Sequence, residues 1–468
     1  MNLSSNHPPN RLVSKSPHLQ VSPPPSFPVT KSPRHQVSPS PRRPVAPSQN
    51  RVVITGMGVV SPNAIGISDF SQAIRTGTCG IRFHQELADL NFACQIGGKP
   101  EIPDEKLKEY FTSLQLKDLN ASGIKYGVIA GIDAWKNAQL PVGKATTDYN
   151  SGIVFGTGIS GVDKFREAIL KIDAGNVRRL GSTAVTQTMA SGISAFLNEK
   201  LGCGNQVTTN SSACTTGTEA ILMGYERIKN GQAKRMLVGS AGDAGPYIWG
   251  GFDALRILPR KYNDDPTKAS RPMSATAAGF VPGSGAGAMV LESLESAKKR
   301  GATIYAEILG GSINSGGQRN GGSMTAANNE AVQRCIKETI WSSGIRAEEI
   351  DAINGHLTAT GNDPVEIENW KAALGLERKN FPFINSLKGM TGHCLSAAGS
   401  IESVAAVLQI KEGFLFGNSN CEDMHPEIEK LILLEKVLQK TIDFQPKTII
   451  KASFGFGDVN ACLVFRRL

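Results

Sequence analysis

Short apolar runs recur along the chain from residue 51 onwards, and stretches with a helical pattern separate several of them. In TEAILMGYERIKNG (218–231), the side chains of Ile221, Leu222, Tyr225 and Ile228 share one helical face. Such unbroken apolar runs are typical of strands buried on both faces, so the alternation predicts an α/β fold with mostly buried sheets. The predicted strands are RVVITGMGVVSP (51–62), SGIVFGTG (151–158), RMLVGSAGD (235–243), GAGAMVLESL (285–294), TIYAEILGGSIN (303–314), IDAINGH (350–356), FPFINS (381–386) and TIIKASFGFG (448–457).

The first fifty residues break this pattern. They are rich in proline and serine, and they repeat themselves sixteen residues apart, as KSPHLQVSPPP (15–25) and KSPRHQVSPSP (31–41). A segment this poor in apolar residues cannot bury enough surface to offset its loss of conformational entropy. Residues 1–50 are therefore predicted to form a disordered, basic and partly polyproline tail.

The composition of this tail bears on where the protein works. An N-terminus that is rich in arginine and serine and free of acids resembles an organelle transit peptide, but its twelve prolines oppose the helix of a mitochondrial signal. It also lacks the apolar core of a secretory signal. We predict a cytoplasmic bacterial protein, with a plastid location as the alternative.

Charge and cysteine content exclude several classes of function. The net charge is +9, but six of the 50 basic residues lie in the tail, which leaves 44 basic against 41 acidic residues in the rest. The charge therefore gives no reason to predict nucleic-acid binding. No run of eighteen apolar residues occurs, so no membrane span is predicted. The eight cysteines form no CxxC pair or zinc-like cluster, which indicates free thiols in a reducing compartment.

One cysteine stands in a context that favours chemistry. In NSSACTTGTEA (210–220), Cys214 follows small residues and precedes a helical pattern, as the nucleophile does in a strand-to-helix elbow. The positive end of a helix dipole stabilises a thiolate, and the backbone N–H of such a residue can stabilise an oxyanion. Taken alone, a cysteine in an apolar setting is more often an unreactive core residue.

Three further segments make the reactive interpretation stronger. Only four histidines lie outside the tail, and two of them occupy small-residue contexts: His356 in NGHLTAT (354–360) and His393 in NSLKGMTGHCLSAAGS (385–400). The third segment, FGFGDVN (454–460), contains a Gly-Phe-Gly turn that can present backbone N–H groups.

With these motifs, residues 51–468 resemble the β-ketoacyl-acyl carrier protein synthases, the elongating condensing enzymes of the thiolase-like superfamily. The N-terminal strand and ASRPMSATAAGFVPGSGAG (269–287) also take part in the resemblance, and the motifs occur in the family's order. Cys214 precedes His356 by 142 residues, and His356 precedes His393 by 37.

This resemblance implies a five-layered α-β-α-β-α sandwich made of two similar halves. The implied boundary lies near residue 302, so that 51–302 holds the nucleophilic cysteine and 303–468 holds the two histidines and a lysine. It also implies a homodimer that works with an acyl carrier protein, and no cofactor beyond the carrier's phosphopantetheine and no metal.

The implied reaction is a decarboxylative Claisen condensation in fatty acid or polyketide-like chain elongation. An enzyme-bound acyl group joins malonyl-acyl carrier protein, which gives 3-oxoacyl-acyl carrier protein and CO2. By the resemblance, Cys214 carries the acyl group, while His356 and His393 bind the malonyl thioester and stabilise the enolate.

The resemblance also implies roles for residues around these three. Lys388, five residues before His393, organises the histidines and is paired with Glu402. Thr358 and Thr360 bind the pantetheine arm, with ordinary strand threonines as the alternative. Phe456 gates the acyl pocket and, together with Cys214, supplies the amides of an oxyanion hole.

Three departures from the family pattern generate expectations of their own. Leu357 replaces the glycine that usually follows the first histidine, and we expect it to add bulk beside the pantetheine path. Asp458 replaces a glycine of the GFGG loop, and we expect it to stiffen that loop and bring a charge near the gate. Ala277 and Ala278 replace a charged pair.

These departures keep three other functions open. One is a specialised ketosynthase for a polyketide or polyene. Another is a thiolase-like acyltransferase that uses coenzyme A. It is opposed by the Cys-His-His pattern, since Cys394 beside His393 does not match the second thiolase cysteine. The last is a non-catalytic chain-length partner or scaffold, which the presence of Cys214 disfavours.

Overall fold

Each of the eight apolar runs contains a strand in the computed structural model, which describes residues 50–143 and 145–468. The prediction of a disordered tail falls outside the described residues, apart from Asn50. The strands are β1 Val52–Ser61, β2 Ala64–Ile65, β3 Ile81–Phe83, β4 Ile96–Gly98, β5 Ser151–Thr157, β6 Val207–Thr208, β7 Arg235–Gly242, β8 Gly285–Ser293, β9 Ala306–Ser315, β10 Ala352–Asn354, β11 Phe383–Asn385, β12 Phe414–Leu415, β13 Ile442–Asp443, β14 Thr448–Gly455 and β15 Val459–Arg466. Seven of the fifteen strands in the described residues were not predicted: the short β2, β3, β4, β6, β12 and β13, and the long β15.

Helices connect these strands, and the helical pattern at 218–231 corresponds to helix α9. None of the helices in the described ranges has the length and apolar run needed to cross a bilayer. The helices are α1 Ile67–Thr76, α2 Gln85–Asp89, α3 Asp104–Lys108, α4 Ser113–Leu116, α5 Ser122–Asn137, α6 Val162–Asp173, α7 Ala184–Thr188, α8 Gly192–Leu201, α9 Thr216–Lys229, α10 Pro246–Ala254, α11 Leu294–Lys299, α12 Asn329–Ser342, α13 Asp363–Leu374, α14 Lys388–Thr391, α15 Ala398–Glu412 and α16 Pro426–Leu431.

Ten strands form one path through the main sheet, in the order β11-β10-β14-β15-β9-β1-β8-β7-β5-β6. Read from either end towards the middle, the pairings are parallel, parallel, antiparallel and antiparallel. The first five strands in chain order and the last five therefore repeat one topology. The two sets meet where β1 pairs with β9 over only three residues, Val52 to Ile54.

Helices cover both faces of each set of strands. Helix α5 packs on β1, β7 and β8, whereas α12 packs on β9 and β15 and contacts α13. Between the two sets lie α9, which contacts β5 and β7, and α15, which contacts β8 and β14. Helix α15 is buried at every position from Ala398 to Ile410, because it has sheet on both sides. This arrangement agrees with the predicted α/β sandwich.

The two central helices start in the same way. Before α9, Ala213 has a left-handed backbone (φ 49°) and opens a short 3-10 turn, and Leu395 (φ 51°) does the same before α15. The two helix starts approach each other through glycines. A Cβ on Gly399 would lie 2.6 Å from the Thr218 nitrogen, and one on Gly217 would lie 2.6 Å from the Ser240 hydroxyl oxygen and would also collide with the Ser400 nitrogen.

The predicted division near residue 302 falls between the two repeated sets of strands. The described residues from 50 onwards form one compact unit by their contacts, so this division stays a prediction.

The helix crossing yields a stability prediction. Gly217→Ala should lower the free energy of unfolding by roughly 1–3 kcal/mol, because the new methyl group meets backbone that cannot move aside. Thermal or chemical unfolding measures this effect. Gly251→Ala, in α10, is the control: a Cβ on Gly251 would have nothing within 4 Å, so the change should be neutral or stabilising. Equal stability of the two variants would contradict the close crossing.

Candidate active site

Cys214 lies in the turn between β6 and α9. Local hydrogen bonds fix this turn: the Thr216 hydroxyl accepts from the Ser212 N–H (2.9 Å) and donates to the Ala213 carbonyl (2.6 Å). The Asn210 side chain donates to the Thr216 carbonyl at 2.9 Å. The Cys214 side chain is therefore held at the start of α9, half-buried at the wall of a cavity.

His393 contacts the sulfur directly, with its Nε2 3.2 Å from Cys214 Sγ. Its other ring nitrogen, Nδ1, lies 3.2 Å from the Leu395 nitrogen and accepts the Leu395 N–H. A neutral imidazole carries one proton, so this contact assigns the proton to Nε2. The His393 ring is thereby fixed as a hydrogen-bond donor to the sulfur or to a substrate oxygen.

His356 stands beside His393, with ring centroids 5.2 Å apart and the ring planes at 82°. One ligand atom from each of Cys214, His356 and His393 lies within 4.8 Å of the others. The Nδ1 of His356 is buried and has no hydrogen-bond partner among the described residues. Side chains from motifs that lie 142 residues (Cys214 to His356) and 37 residues (His356 to His393) apart in the sequence therefore meet at one point.

Both imidazoles are held in the neutral form. Burial lowers the pKa of His356 and of His393 well below the ordinary value, and the positive charge of Lys388 lowers both further. A second lysine, Lys451, adds to the effect on both histidines. At neutral pH the two rings are hydrogen-bond donors without charge.

For the Cys214 thiol, burial and the nearby positive charge shift the pKa in opposite directions. Burial raises its pKa to about 11, while the charge of Lys388 and the backbone N–H groups of Phe456 and Cys214 lower it. The resting group is therefore a thiol. The N–H groups of Phe456 and Cys214 therefore lie close to the sulfur.

Behind the histidines, Lys388 donates to one oxygen of Glu402. Both side chains are buried. Lys451 on β14 lies 2.7 Å from the other Glu402 oxygen and is fully buried as well. Sequence reasoning missed Lys451, although a lysine inside the apolar run TIIKASFG was a signal for it.

Two further acids, Asp363 and Glu366, fix the loop that carries His356. Glu366 accepts the N–H groups of His356 and Leu357, each at 2.7 Å. Asp363 accepts the Thr358 N–H at 2.9 Å and two more backbone N–H groups. Both acids are buried and were absent from the predicted site set.

The expectation for Leu357 was wrong. Its side chain is fully buried in the hydrophobic cluster that contains Trp370 and does not line the cavity. The N–H bond to Glu366 and the carbonyl bond from Ser386 (2.9 Å) orient its backbone, so that the side chain points away from His356. Leu357 adds bulk to the core and none to the substrate path.

The cavity at Cys214 has a volume of roughly 490 Å³. Thr358 and Thr360 line it, with their hydroxyl oxygens 3.0 Å apart. Aromatic rings form another part of the wall: Phe280 packs edge-on against His393, with centroids 5.3 Å apart, and Phe252 lies 6.2 Å from Phe456.

Asp458, which was expected to stiffen the loop and to bring a charge near the gate, lies two residues after Phe456 but does not line the cavity. It is fully buried, and its carboxylate accepts the N–H groups of Gln318 (2.9 Å) and Asn328 (2.8 Å). A Cβ on Gly316 or Gly322 would collide with this carboxylate, so both glycines make room for it. Asp458 therefore ties the Gly-Phe-Gly turn to the segment 316–328, part of which lines the cavity.

The converging Cys214, His356 and His393 are also a possible metal-ligand set among the described residues. A metal on His393 would need a bare Nε2, whereas the Leu395 N–H keeps the ring proton on that atom. The set therefore suits hydrogen-bond donation better than metal ligation.

Comparison with known proteins shows the family to which the chain is related. Sequence models of the β-ketoacyl synthase N-terminal and C-terminal domains match residues 49–297 and 305–422. The chain is 33% identical to 3-oxoacyl-[acyl-carrier-protein] synthase I, chloroplastic, of Arabidopsis thaliana over 89% of this chain and 86% of that protein. It is 32% identical to 3-oxoacyl-[acyl-carrier-protein] synthase 1 of Escherichia coli over 89% of this chain and 99% of that protein.

Solved structures give the same result. A β-ketoacyl synthase from Burkholderia phymatum superposes with a TM-score of 0.80 at 26% identity, over 90% of this chain and 100% of that one. A type II polyketide acyl-carrier protein in complex with its ketosynthase, bound to the hexaketide, gives a TM-score of 0.79 at 28% identity with the same coverage.

The burial of Asp458 leads to a prediction. Asp458→Ala should lower the free energy of unfolding by roughly 2–4 kcal/mol, because two buried N–H groups lose their acceptor and alanine takes a left-handed backbone. Hydrogen exchange should then rise in 316–328. Asp243→Ala is the control, since this buried aspartate also accepts backbone N–H groups but lies elsewhere. It should destabilise the protein without raising exchange in 316–328, and equal exchange there in both variants would refute the tie.

Proposed function

Because this chain belongs to the β-ketoacyl synthase family, we propose that it condenses an acyl group held on Cys214 with malonyl-acyl carrier protein. The products are 3-oxoacyl-acyl carrier protein and CO2. The observation that carries the assignment of residues is the 3.2 Å contact between Cys214 Sγ and His393 Nε2, with the His356 ring beside it.

The first step transfers the acyl group. The Cys214 sulfur attacks the thioester carbonyl of an acyl carrier, a new C–S bond forms, and the C–S bond to the carrier breaks. The proton of the Cys214 thiol ends on the carrier sulfur, which leaves as a thiol. The N–H groups of Cys214 and Phe456 would stabilise the oxyanion in this step, since both already face the sulfur. The His393 Nε2–H would stabilise the thiolate that reacts.

The second step joins the chains. Malonyl thioester enters the cavity, its carboxylate leaves as CO2, and the electron pair becomes an enolate. Two neutral imidazoles, those of His356 and His393, would each donate an N–H bond to the enolate oxygen and stabilise it without holding the malonyl carboxylate as an ion pair. The enolate carbon then attacks the acyl carbonyl, and the C–S bond to Cys214 breaks.

The surrounding residues support these steps. Thr358 and Thr360 offer hydroxyl groups on the cavity wall for the amides of a pantetheine arm. Lys388 and Glu402 form a buried pair that orders the charge behind the histidines. Phe456 belongs to the Gly-Phe-Gly turn and lines the cavity. A change of its rotamer would widen the space next to Cys214.

We propose that the substrates arrive on the phosphopantetheine of an acyl carrier protein and that no metal or other cofactor takes part. The similarity to a ketosynthase in complex with its acyl-carrier protein supports this partner. A non-catalytic scaffold would not need a cysteine in contact with a donor histidine, so this alternative is disfavoured.

A specialised polyketide or polyene ketosynthase is the second candidate. The relatives of higher sequence identity are named for 3-oxoacyl-[acyl-carrier-protein] synthesis, whereas two similar structures come from polyketide systems, including the ishigamide ketosynthase/chain length factor (25% identity, TM-score 0.79). Fatty acid elongation is therefore the leading proposal. The location of the protein stays a prediction, because the relatives include both bacterial and chloroplastic proteins. Expression of residues 1–50 fused to a fluorescent protein tests it.

We also propose a homodimer, with α6 in its interface. Phe165, Ile169 and Ile172 share one face of α6, and each is about half exposed, at 48–52%. Val185 on the adjoining α7 is 71% exposed. An apolar face of this extent on one protomer indicates a contact surface.

The halves 51–302 and 303–468 stay a proposal, supported by the family models that end at 297 and begin at 305.

The central test is turnover by purified protein. With acyl- and malonyl-acyl carrier protein we expect release of CO2, formation of a 3-oxoacyl product, and an acyl adduct on the peptide that contains Cys214. Cys214→Ala should lose the adduct and the condensation, because no other described thiol contacts His393. Cys79→Ala, at a half-buried thiol outside the cavity, should retain both. No turnover and no adduct at any acyl chain length would refute the proposal.

The dimer gives a separate prediction. Ile169→Glu should shift the protein from dimer to monomer at micromolar concentration, because a charge would be buried on the apolar face of α6. Light scattering after size-exclusion chromatography reports the mass. Leu114→Glu, at a 78% exposed leucine in α4, is the matched control and should leave the mass unchanged. A wild-type monomer would contradict the dimer.

A further inference from the structure

Lys451 places a second buried ammonium group behind the histidines. It lies on β14, three residues before Phe454, and its side chain is fully buried. Its Nζ lies 2.7 Å from Glu402 Oε2 and 3.1 Å from the Ser453 hydroxyl, and it also donates to the Ala452 carbonyl. The Glu402 contact is an ion pair by distance, since Glu402 Oε2 has no hydrogen-bond partner among the described residues. Burial lowers the pKa of Lys451, and the negative charge of Glu402 opposes that shift.

The two lysines share one carboxylate. The ion pairs of Lys388 and Lys451 in the described residues both run to Glu402, one to each oxygen. Glu366 acts on Lys451 only through its charge, and burial raises the pKa of Glu366 to about 7, so its negative charge is incomplete at neutral pH. Lys388 and Glu402 alone would form a neutral pair, and Lys451 gives the cluster an excess of positive charge.

This excess is directed towards the two histidines. Burial is the first cause that lowers the pKa of each ring, and the charges of Lys388 and Lys451 lower it further. The neutral form matters for geometry: a protonated His393 would carry a hydrogen on Nδ1, where the Leu395 N–H already points. Protonation would therefore break the contact that aims Nε2–H at Cys214.

We propose that Lys451 is a positioning residue of the condensation site. By occupying the second oxygen of Glu402, it leaves a positive charge that keeps His356 and His393 neutral and favours the enolate that develops between them. The inference rests on the proposed function and goes beyond it, since it assigns a role to a residue that the motifs do not contain.

Other groups around the histidines also titrate, and the test must separate them. His393 faces Cys214, His356 and the two lysines, with Glu402 behind them. His356 faces the same lysines and His393, and its backbone N–H is bound by Glu366. Glu366 can therefore contribute to the pH dependence of turnover, so the histidines must be observed directly.

The experiment titrates the histidine rings by NMR in protein labelled with 13C-histidine, in the wild type and in Lys451→Met. Loss of the cation should raise the titration midpoints of His356 and His393 by about one pH unit, in line with the effect of a nearby charge. The acid limb of CO2 release from malonyl-acyl carrier protein should move to higher pH by the same amount. Lys451→Arg retains the charge and should return both midpoints towards the wild type.

Lys164→Met is the matched control. Lys164 is also buried and ion-paired, with Asp118 and Glu167, but it lies in α6 outside the cavity, so its removal should leave the histidine midpoints unchanged. Unchanged midpoints in a folded Lys451→Met protein would overturn the inference. Should that variant fail to fold, a wild-type midpoint at the ordinary value of about 6.5 for either histidine would overturn it equally. The titrations need no turnover, so they stand apart from a failure of the proposed function.

Discussion

The site depends on the close crossing of two helix starts, α9 and α15, at Gly217 and Gly399. Each start follows a residue with a left-handed backbone, and each approaches the other through a glycine that leaves no room for a side chain. Side chains larger than hydrogen at the crossing would separate the helices, and with them Cys214 and His393, which lie three and six residues before the glycines. The 3.2 Å contact between sulfur and imidazole is therefore a consequence of backbone packing.

The repeated topology explains why this crossing lies at the centre of the molecule. Each set of five strands has its central helix on the same side, and the pairing of β1 with β9 brings the two sets together so that these helices face each other. The two helix starts are thus equivalent by fold but different in chemistry. The first carries the nucleophile, whereas Ser396 occupies the equivalent place in the second, and His393 precedes it.

The sequence was sufficient for much of this arrangement. The apolar runs predicted eight of the strands, and the motifs named the residues that meet at Cys214, because local pattern and motif order survive in one chain. The errors concern the direction in which a side chain points and the pairing of buried charges. Leu357 was expected in the substrate path, but whether a side chain points to the core or to the cavity depends on the bonds its backbone makes to Glu366. Lys451 was missed because a strand pattern does not show which carboxylate lies across the core.

Two residues that break local rules, Lys451 and Asp458, lie on either side of the Gly-Phe-Gly turn. A lysine inside a buried strand and an aspartate with a left-handed backbone each cost free energy unless the surroundings compensate, and here both are compensated by several hydrogen bonds. Lys451 fixes the charge behind the histidines, while Asp458 fixes the turn to the cavity wall. The turn that presents the Phe456 N–H to Cys214 is thus anchored at both ends, as the oxyanion and gating roles proposed for Phe456 require.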